Sequence, residues 1–209
     1  MIFDNVSPVL ADDVSPLIKE VQYLIGLDVY VIGSAANPKK EHKDIDVLAS
    51  IDRCRQIFGS KTDREARKML REHVGSYGID SRIQGVSVHI RIPWNNKHHQ
   101  IDVMLATDIE TIKFYHIHNI PRNSRFKGKH RHMLLNYLAS GHGYKWSPYK
   151  GIIDNANNMI ANNPDDVSRL LLGETASHVD ILNAETILAK ISNPDDVLDC
   201  MAKNPYWNK

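Results

Sequence analysis

VIGSAANPKKEHKDIDVLAS, residues 31–50, decides how the rest of the chain is read. An apolar, strand-like run ends in Gly33-Ser34, crosses a basic loop and returns as a second run with acids at alternate positions. Side chains in a strand alternate faces, so Asp44 and Asp46 point the same way, about 7 Å apart. Ile45 and Val47 then face an apolar layer. Two parallel carboxylates repel unless a cation lies between them. Mg²⁺ suits such a place, since it takes one or two carboxylates together with waters and phosphate oxygens. The Gly33-Ser34 turn precedes Asp44 by nine intervening residues. Glycine lets backbone approach a phosphate closely, and a hydroxyl and free N–H groups can bind its oxygens.

Working outward, SPLIKEVQYLIGL predicts a first helix with Ser15 at its N-cap, Pro16 at N1 and Gly26 at its end. DVYVIG and DIDVLAS read as short strands rich in β-branched residues. KTDREARKMLREHVGSYG is the clearest helix, with Thr62 and Glu65 at capping-box spacing. VSVHIRI alternates strictly, placing Ser87, His89 and Arg91 on the face opposite Val88, Ile90 and Ile92. Pro93 and Asn95-Asn96 mark a turn, and HHQIDVML returns as the hairpin partner. There Gln100, Asp102 and Met104 share one face, so Asp102 is a third acid on the open face of a strand. From about Thr107 the pattern becomes helical, with SRFKGKHRHMLLNYLAS as one long helix capped by Ser124. NPDDV occurs at 163–167 and again at 193–197, which reads as two similar helix starts.

Composition agrees with a folded chain of ordinary type. It has 209 residues, 42% of them hydrophobic and 24% charged, enough for one large domain or two small ones. No apolar run approaches the ~18 residues of a membrane span. The first residues carry acids and no basic segment, unlike a signal peptide. Cys54 and Cys200 match no metal or redox spacing, which fits free thiols in a reducing cytoplasm. The net charge of +1 is unevenly placed: residues 1–150 hold 22 Lys/Arg against 16 Asp/Glu, and residues 151–209 hold 4 against 9. Seven Lys/Arg and no acid lie within 121–150, a block that fits a polyphosphate or nucleic-acid partner. Eleven histidines are present, but none stands at HExxH or Cys/His ligand spacing, so no dedicated zinc site is expected. There is no GxxxxGK[ST] motif for a Walker-type phosphate loop.

Gly-Ser, nine residues, Asp-Ile-Asp flanked by apolar positions, and a later single Asp on a strand together resemble the nucleotidyltransferase superfamily of DNA polymerase β. That group includes CCA-adding enzymes, poly(A) polymerases and small antibiotic nucleotidyltransferases. The motif covers about residues 28–105. The full length also looks like small stand-alone members encoded by bacteriophages, in its KGKHRHMLL helix and LLLG segment. The Gly-Ser loop departs from the Arg-Gly pattern of minimal members paired with toxin modules. The resemblance implies an α/β (α+β) fold: a mixed-sheet catalytic core over 1–107, then a mainly helical region, 108–209, that helps bind nucleotide and acceptor. It implies an enzyme that transfers NMP from an NTP to a hydroxyl and releases pyrophosphate. Asp44, Asp46 and Asp102 would be the catalytic metal ligands for two Mg²⁺ ions, for which Mn²⁺ can substitute, and Gly33 and Ser34 would hold the β- and γ-phosphates.

A cation is still needed for the triphosphate. Lys127 and Arg131 are four apart, on one helical face, and Ser124 precedes Lys127 by three. That face is the expected clamp, with Lys39, Lys40 and Lys43 as weaker candidates. The basic block favours an RNA acceptor, particularly a tRNA-like 3′ end. The near-neutral total charge and acidic tail leave a protein or small-molecule hydroxyl open. The rivals are a nucleotide- or RNA-binding module without chemistry and a metal-dependent phosphohydrolase.

Overall fold

The computed structural model describes residues 2–36, 40–117, 119–121 and 123–208. Lys39, His118 and Arg122 lie outside them. The chain is a mixed α/β protein. Strand β1, Val9–Leu10, leads into helix α1, Ala11–Ile25. Strand β2, Val29–Ile32, ends in a 3₁₀ turn at Gly33–Ala36. β3, Glu41–His42, pairs antiparallel with β1, and β4 is Ile45–Ser50. Helices α2, Ile51–Phe58, and α3, Asp63–Ser76, follow. Then come β5, Asp80–Gln84, β6, Ser87–Trp94, β7, Lys97–Ala106, and α4, Ile109–His116. The remainder holds α5, Gly128–Gly141, the short strands β8, Lys145–Ser147, β9, Gly151–Ile153, and β10, Met159–Ala161. It closes with α6, Pro164–Leu172, α7, Ala184–Lys190, and α8, Pro194–Ala202. No helix among the described residues is long and apolar enough to cross a membrane.

Two compact units, 1–113 and 114–209, part within α4; the sequence boundary at 107/108 falls just after β7. In the first unit a five-stranded sheet runs in the order β2–β4–β7–β6–β5. β4 and β7 are parallel, and the other neighbours are antiparallel. One face of the sheet is apolar: Ile45, Val47 and Ala49 of β4, Ile101, Val103 and Leu105 of β7, and Val88, Ile90 and Ile92 of β6. Leu17, Val21 and Leu24 of α1 and Ala66, Leu70 and Val74 of α3 complete this core. Burying each of the Val, Leu and Ile side chains stabilises the unit by roughly 1.5–3 kcal/mol. A one-residue slip would turn the whole set outward, so this face sets the register.

Local signals explain most element ends. Thr62 caps α3, its hydroxyl accepting from the Glu65 N–H at 3.2 Å. Asn163 caps α6 in the same manner, accepting from the Asp165 N–H at 2.9 Å. Asn193 stands at the N-cap of α8 without a side-chain cap bond. Asn95 and Asn96 both take positive φ, 47° and 58°, as a two-residue hairpin turn requires. The start of α1 differs from expectation. The helix begins at Ala11, so Ser15 does not cap it and Pro16 lies inside. The proline ring removes the bond to the Asp12 carbonyl, and the buried stripe from Leu17 to Ile25 still holds the helix on the sheet.

The second unit builds its own core on α5, through Leu134, Leu135 and Ala139, against Val167, Ile181, Ile187 and Val197. Trp146 and Ile152 of a small antiparallel sheet, β10–β9–β8, join it. Here Gly151 is required by geometry. Its φ is +74°, and an added Cβ would lie 2.2 Å from the Ala161 carbonyl oxygen and 2.6 Å from the Asn162 Cα. Those are backbone atoms that cannot swing aside. Gly151→Ala is therefore expected to destabilise this unit by about 3 kcal/mol, read as an earlier midpoint in a urea titration; an unchanged midpoint would contradict this packing.

Candidate active site

The parallel pairing of β4 with β7 places Asp46 directly beside Asp102. Neighbouring strands are about 4.8 Å apart, so two carboxylates on one face are held closer than water alone would keep them. The same row continues through His89 of β6, which pairs with Asp102, and through Ile32 of β2, which pairs with Asp46. Asp44 is not in the strand as expected. It occupies the bend immediately before β4, yet it still acts on this cluster through space.

Electrostatics records the crowding. Burial first, then the charges of Asp44 and Asp102, push the Asp46 carboxyl up to about 7. Burial and then the Asp102 charge raise Asp44 above the usual carboxylate range. The Asp46 carboxylate makes no hydrogen bond or ion pair among the described residues. Its environment disfavours its charged form, which is the setting that a cation relieves.

Asp102 is held differently. Its Oδ1 accepts from the His89 Nδ1–H at 2.7 Å and from the Gln100 Nε2 at 2.9 Å. Gln100 is buried and oriented from the other side, since its Oε1 accepts from the Ile2 N–H at 2.8 Å. The Asp102 Oδ2 has no hydrogen-bond partner among the described residues. Two side chains thus fix one oxygen and leave the other available to a ligand.

The Gly33-Ser34 turn abuts the acids. Gly33 has φ +63°, and a Cβ there would lie 2.5 Å from Asp46 Oδ2. Only glycine lets the turn approach the carboxylate this closely. Ser34 is half-buried, and its hydroxyl has no hydrogen-bond partner among the described residues. Gly33, Ser34, Asp44, Asp46 and Asp102 therefore belong to one locality in the first unit.

The expected cation clamp is not assembled. Ser124 precedes α5 in a loop, where its hydroxyl contacts a carboxylate oxygen of Glu185 and accepts from the Phe126 N–H at 2.8 Å. The helix begins at Gly128, and Lys127 is its N-cap, with the Lys127 N–H donating to His130 Nδ1 at 2.7 Å. Arg131 points into the second unit's core and is only 1% exposed. Its Nε donates to the Ile181 carbonyl at 2.6 Å and its Nη1 to the Phe114 carbonyl at 3.0 Å. Its guanidinium also stacks over the Phe114 ring, 4.7 Å from the centroid. Arg131 is thus a structural residue that ties α5 to α4 and to Ile181. Equal helical spacing put Lys127 and Arg131 on one face, but spacing alone cannot tell a buried face from an open one. Lys40 and Lys43 are exposed in the loop before β4.

Three residues beyond the sequence selection emerge on the acidic face: His89, Gln100 and Arg91. Arg91 stands opposite Gln100, and its guanidinium has no hydrogen bond or ion pair among the described residues. A signal for them existed. The two-residue turn at Asn95-Asn96 sets Trp94 opposite Lys97, and counting back sets His89 opposite Asp102.

Could these residues hold a metal? Among the described residues, no group of three His, Cys, Asp or Glu forms a ready ligand cage. The donor set still fits Mg²⁺, which needs only one or two carboxylates and completes its shell with water and phosphate oxygens. Asp46 and the outer oxygen of Asp102 supply that pair, with Asp44 adjacent. Compared with known proteins, the chain matches no family model and no curated sequence.

Asp46 makes stability depend on pH in a defined direction. A raised carboxyl pKa means that the folded state favours the neutral form. The cost of ionisation is absent below 3.8, grows as pH rises towards about 7, and is full above it. Asp46→Asn is therefore expected to stabilise the metal-free protein at pH 8 by on the order of 2 kcal/mol, and not at pH 3.5. Thermal unfolding in EDTA at the two pH values checks this. Equal melting points for both proteins at pH 8 would mean that burial and the neighbouring acids do not disfavour the Asp46 carboxylate as described.

Proposed function

We propose that the protein is a metal-dependent nucleotidyltransferase that moves NMP from an NTP to a hydroxyl, with an RNA 3′ end as the acceptor. The observation that carries this reading is the Asp46–Asp102 pair on adjacent parallel strands, backed by Gly33 set close against Asp46 at the start of the Gly33-Ser34 turn. Such an arrangement sets hard-metal ligands beside a turn that can hold phosphate.

Asp44, Asp46 and Asp102 would hold two Mg²⁺ ions, which supply charge neutralisation for the attacking and leaving oxygens of an in-line displacement. The residues of the chain do the positioning. Gly33 and Ser34 present backbone and hydroxyl to the β- and γ-phosphates, on the β2 side of the acids. Asp102 lies on the β6 side, so the acceptor hydroxyl approaches from there, and its attack at the α-phosphorus expels pyrophosphate. His89 and Gln100 lock the Asp102 carboxylate in one orientation, which keeps its second oxygen aimed without further reorganisation. Arg91, unpaired on this side, is suited to an acceptor phosphate. Catalysis on this reading rests on placement and charge, with no covalent enzyme intermediate.

Incubation with each α-³²P-labelled NTP, Mg²⁺ and total cellular RNA tests it. Label in RNase-sensitive bands is the expected result. Label only in protease-sensitive bands would move the acceptor to protein, and intact NTP would favour a binding module. Asp46→Asn and Asp102→Asn should each lower transfer by at least ~100-fold while the fold is retained, since each removes a ligand and no core packing. Gly33→Ala should lose at least ~10-fold, because its Cβ would displace the Asp46 carboxylate. Wild-type rates in Asp46→Asn would sink the metal assignment.

A further inference from the structure

We propose that the cleft between α3 and the β5–β6 turn binds the phosphate backbone of a single-stranded RNA acceptor, upstream of the end that reaches Asp102. This rests on the transfer reading above and names where its substrate is held. The cleft has a volume of about 830 Å³ and is lined by Arg64, Arg67, Lys68 and Arg71 of α3, with Ile83 and Gly85 opposite. The four cations recur at the spacing of one helical face, over about 10 Å of axis. That length matches roughly three phosphates of a strand rising ~3.4 Å per nucleotide.

The charge in this cleft is not already spent. The Arg64 and Arg67 guanidinium groups make no ion pair or hydrogen bond among the described residues. Lys68 and Arg71 share one exposed carboxylate, Glu72, at 3.7 and 3.5 Å, and such surface pairs contribute little. Glu65, the acid in the lining, is turned to the start of the helix, where its Oε2 accepts from the Lys61 N–H at 2.8 Å. Nearby Asp63 is paired with Arg55 at 3.2 Å. Three of the four cations are arginines, whose planar forks match phosphate oxygens. Ile83 is 38% exposed and offers an apolar surface to a ribose or base.

Position in the sheet favours a nucleic-acid strand over an acidic protein. β5 is the edge strand, two strands beyond β7, and the cleft opens on the α3 face of the sheet, opposite the acids, so a strand that joins it to Asp102 passes round the β5 edge, roughly 10 Å across the sheet from Asp102. Nucleotide phosphates on the β2 side and acceptor phosphates on the β6–β5 side do not compete for the same ground. A strand a few nucleotides long spans this route, whereas a small-molecule acceptor does not reach the cleft.

Fluorescence anisotropy tests this with the full chain, without NTP, using fluorescein-labelled oligouridylate. In about 100 mM KCl, a strand of about twelve nucleotides should bind at least ~10-fold tighter than a trinucleotide. Arg64→Gln/Arg67→Gln should abolish that advantage and reduce the salt dependence by about 1.4 in slope, for two lost phosphate contacts. Arg64→Gln/Lys68→Gln should act alike and serves if the first variant does not fold. Binding of the longer strand unchanged in both variants, or no length dependence in the wild type, overturns the proposal. Displacement by polyglutamate at equal charge concentration, with no effect of RNA length, assigns the cleft to an acidic protein and also overturns it. Cleft-dependent RNA binding without NTP consumption would sink the transfer reading alone. NMP transfer to a dinucleotide, with no cleft effect on RNA, would sink the cleft alone.

Discussion

Two like charges are held side by side by strand pairing, and much of the first unit serves that constraint. Asp46 and Asp102 are register partners in the β4–β7 ladder. Left to themselves the carboxylates would separate, and burial, then the charges of Asp44 and Asp102, push the Asp46 carboxyl up to about 7. They stay together because the reverse face of the same strands is apolar. Ile45, Val47, Ile101 and Val103 are fully buried there, and any slip of register would expose all of them. Burial on one face thus sets the geometry of charge on the other.

The surroundings divide the labour around that pair. Gly33 lets the turn after β2 touch Asp46, whereas His89 and Gln100 grip Asp102 by one oxygen. Gln100 in turn is oriented by the backbone N–H of Ile2, so the N-terminal segment takes part in aiming the carboxylate. The result is an asymmetric site, with a phosphate-friendly turn on one side and an oriented acid with an unpaired arginine on the other. That asymmetry underlies the direction assigned to nucleotide and acceptor.

The second unit shows how a charged residue can be structural. Arg131 satisfies carbonyls of α4 and of Ile181 and stacks on Phe114. Burial lowers its pKa to about 10, which leaves it protonated at neutral pH. Its cationic helix reads in sequence as a phosphate-binding face, but the hydrogen-bond demands of neighbouring carbonyl groups have claimed it.

Residues close in sequence determined a good deal by themselves. The alternation in β6 and β7 fixed which side chains face the core, the Asn95-Asn96 turn fixed how those strands pair, and Thr62 and Asn163 marked where α3 and α6 begin. For the acids, alternation placed Asp46 and Asp102 each on the polar face of its own strand. Tertiary structure alone decided that β4 and β7 are neighbours, because parallel partners are joined by a long crossover whose ends no local pattern pairs. It also decided that Asp44 lies before the strand, that α1 extends back through Pro16, and that Arg131 turns inward. Each of these depends on which surface another element covers, and a one-dimensional pattern carries the period of a face but not what comes to rest against it.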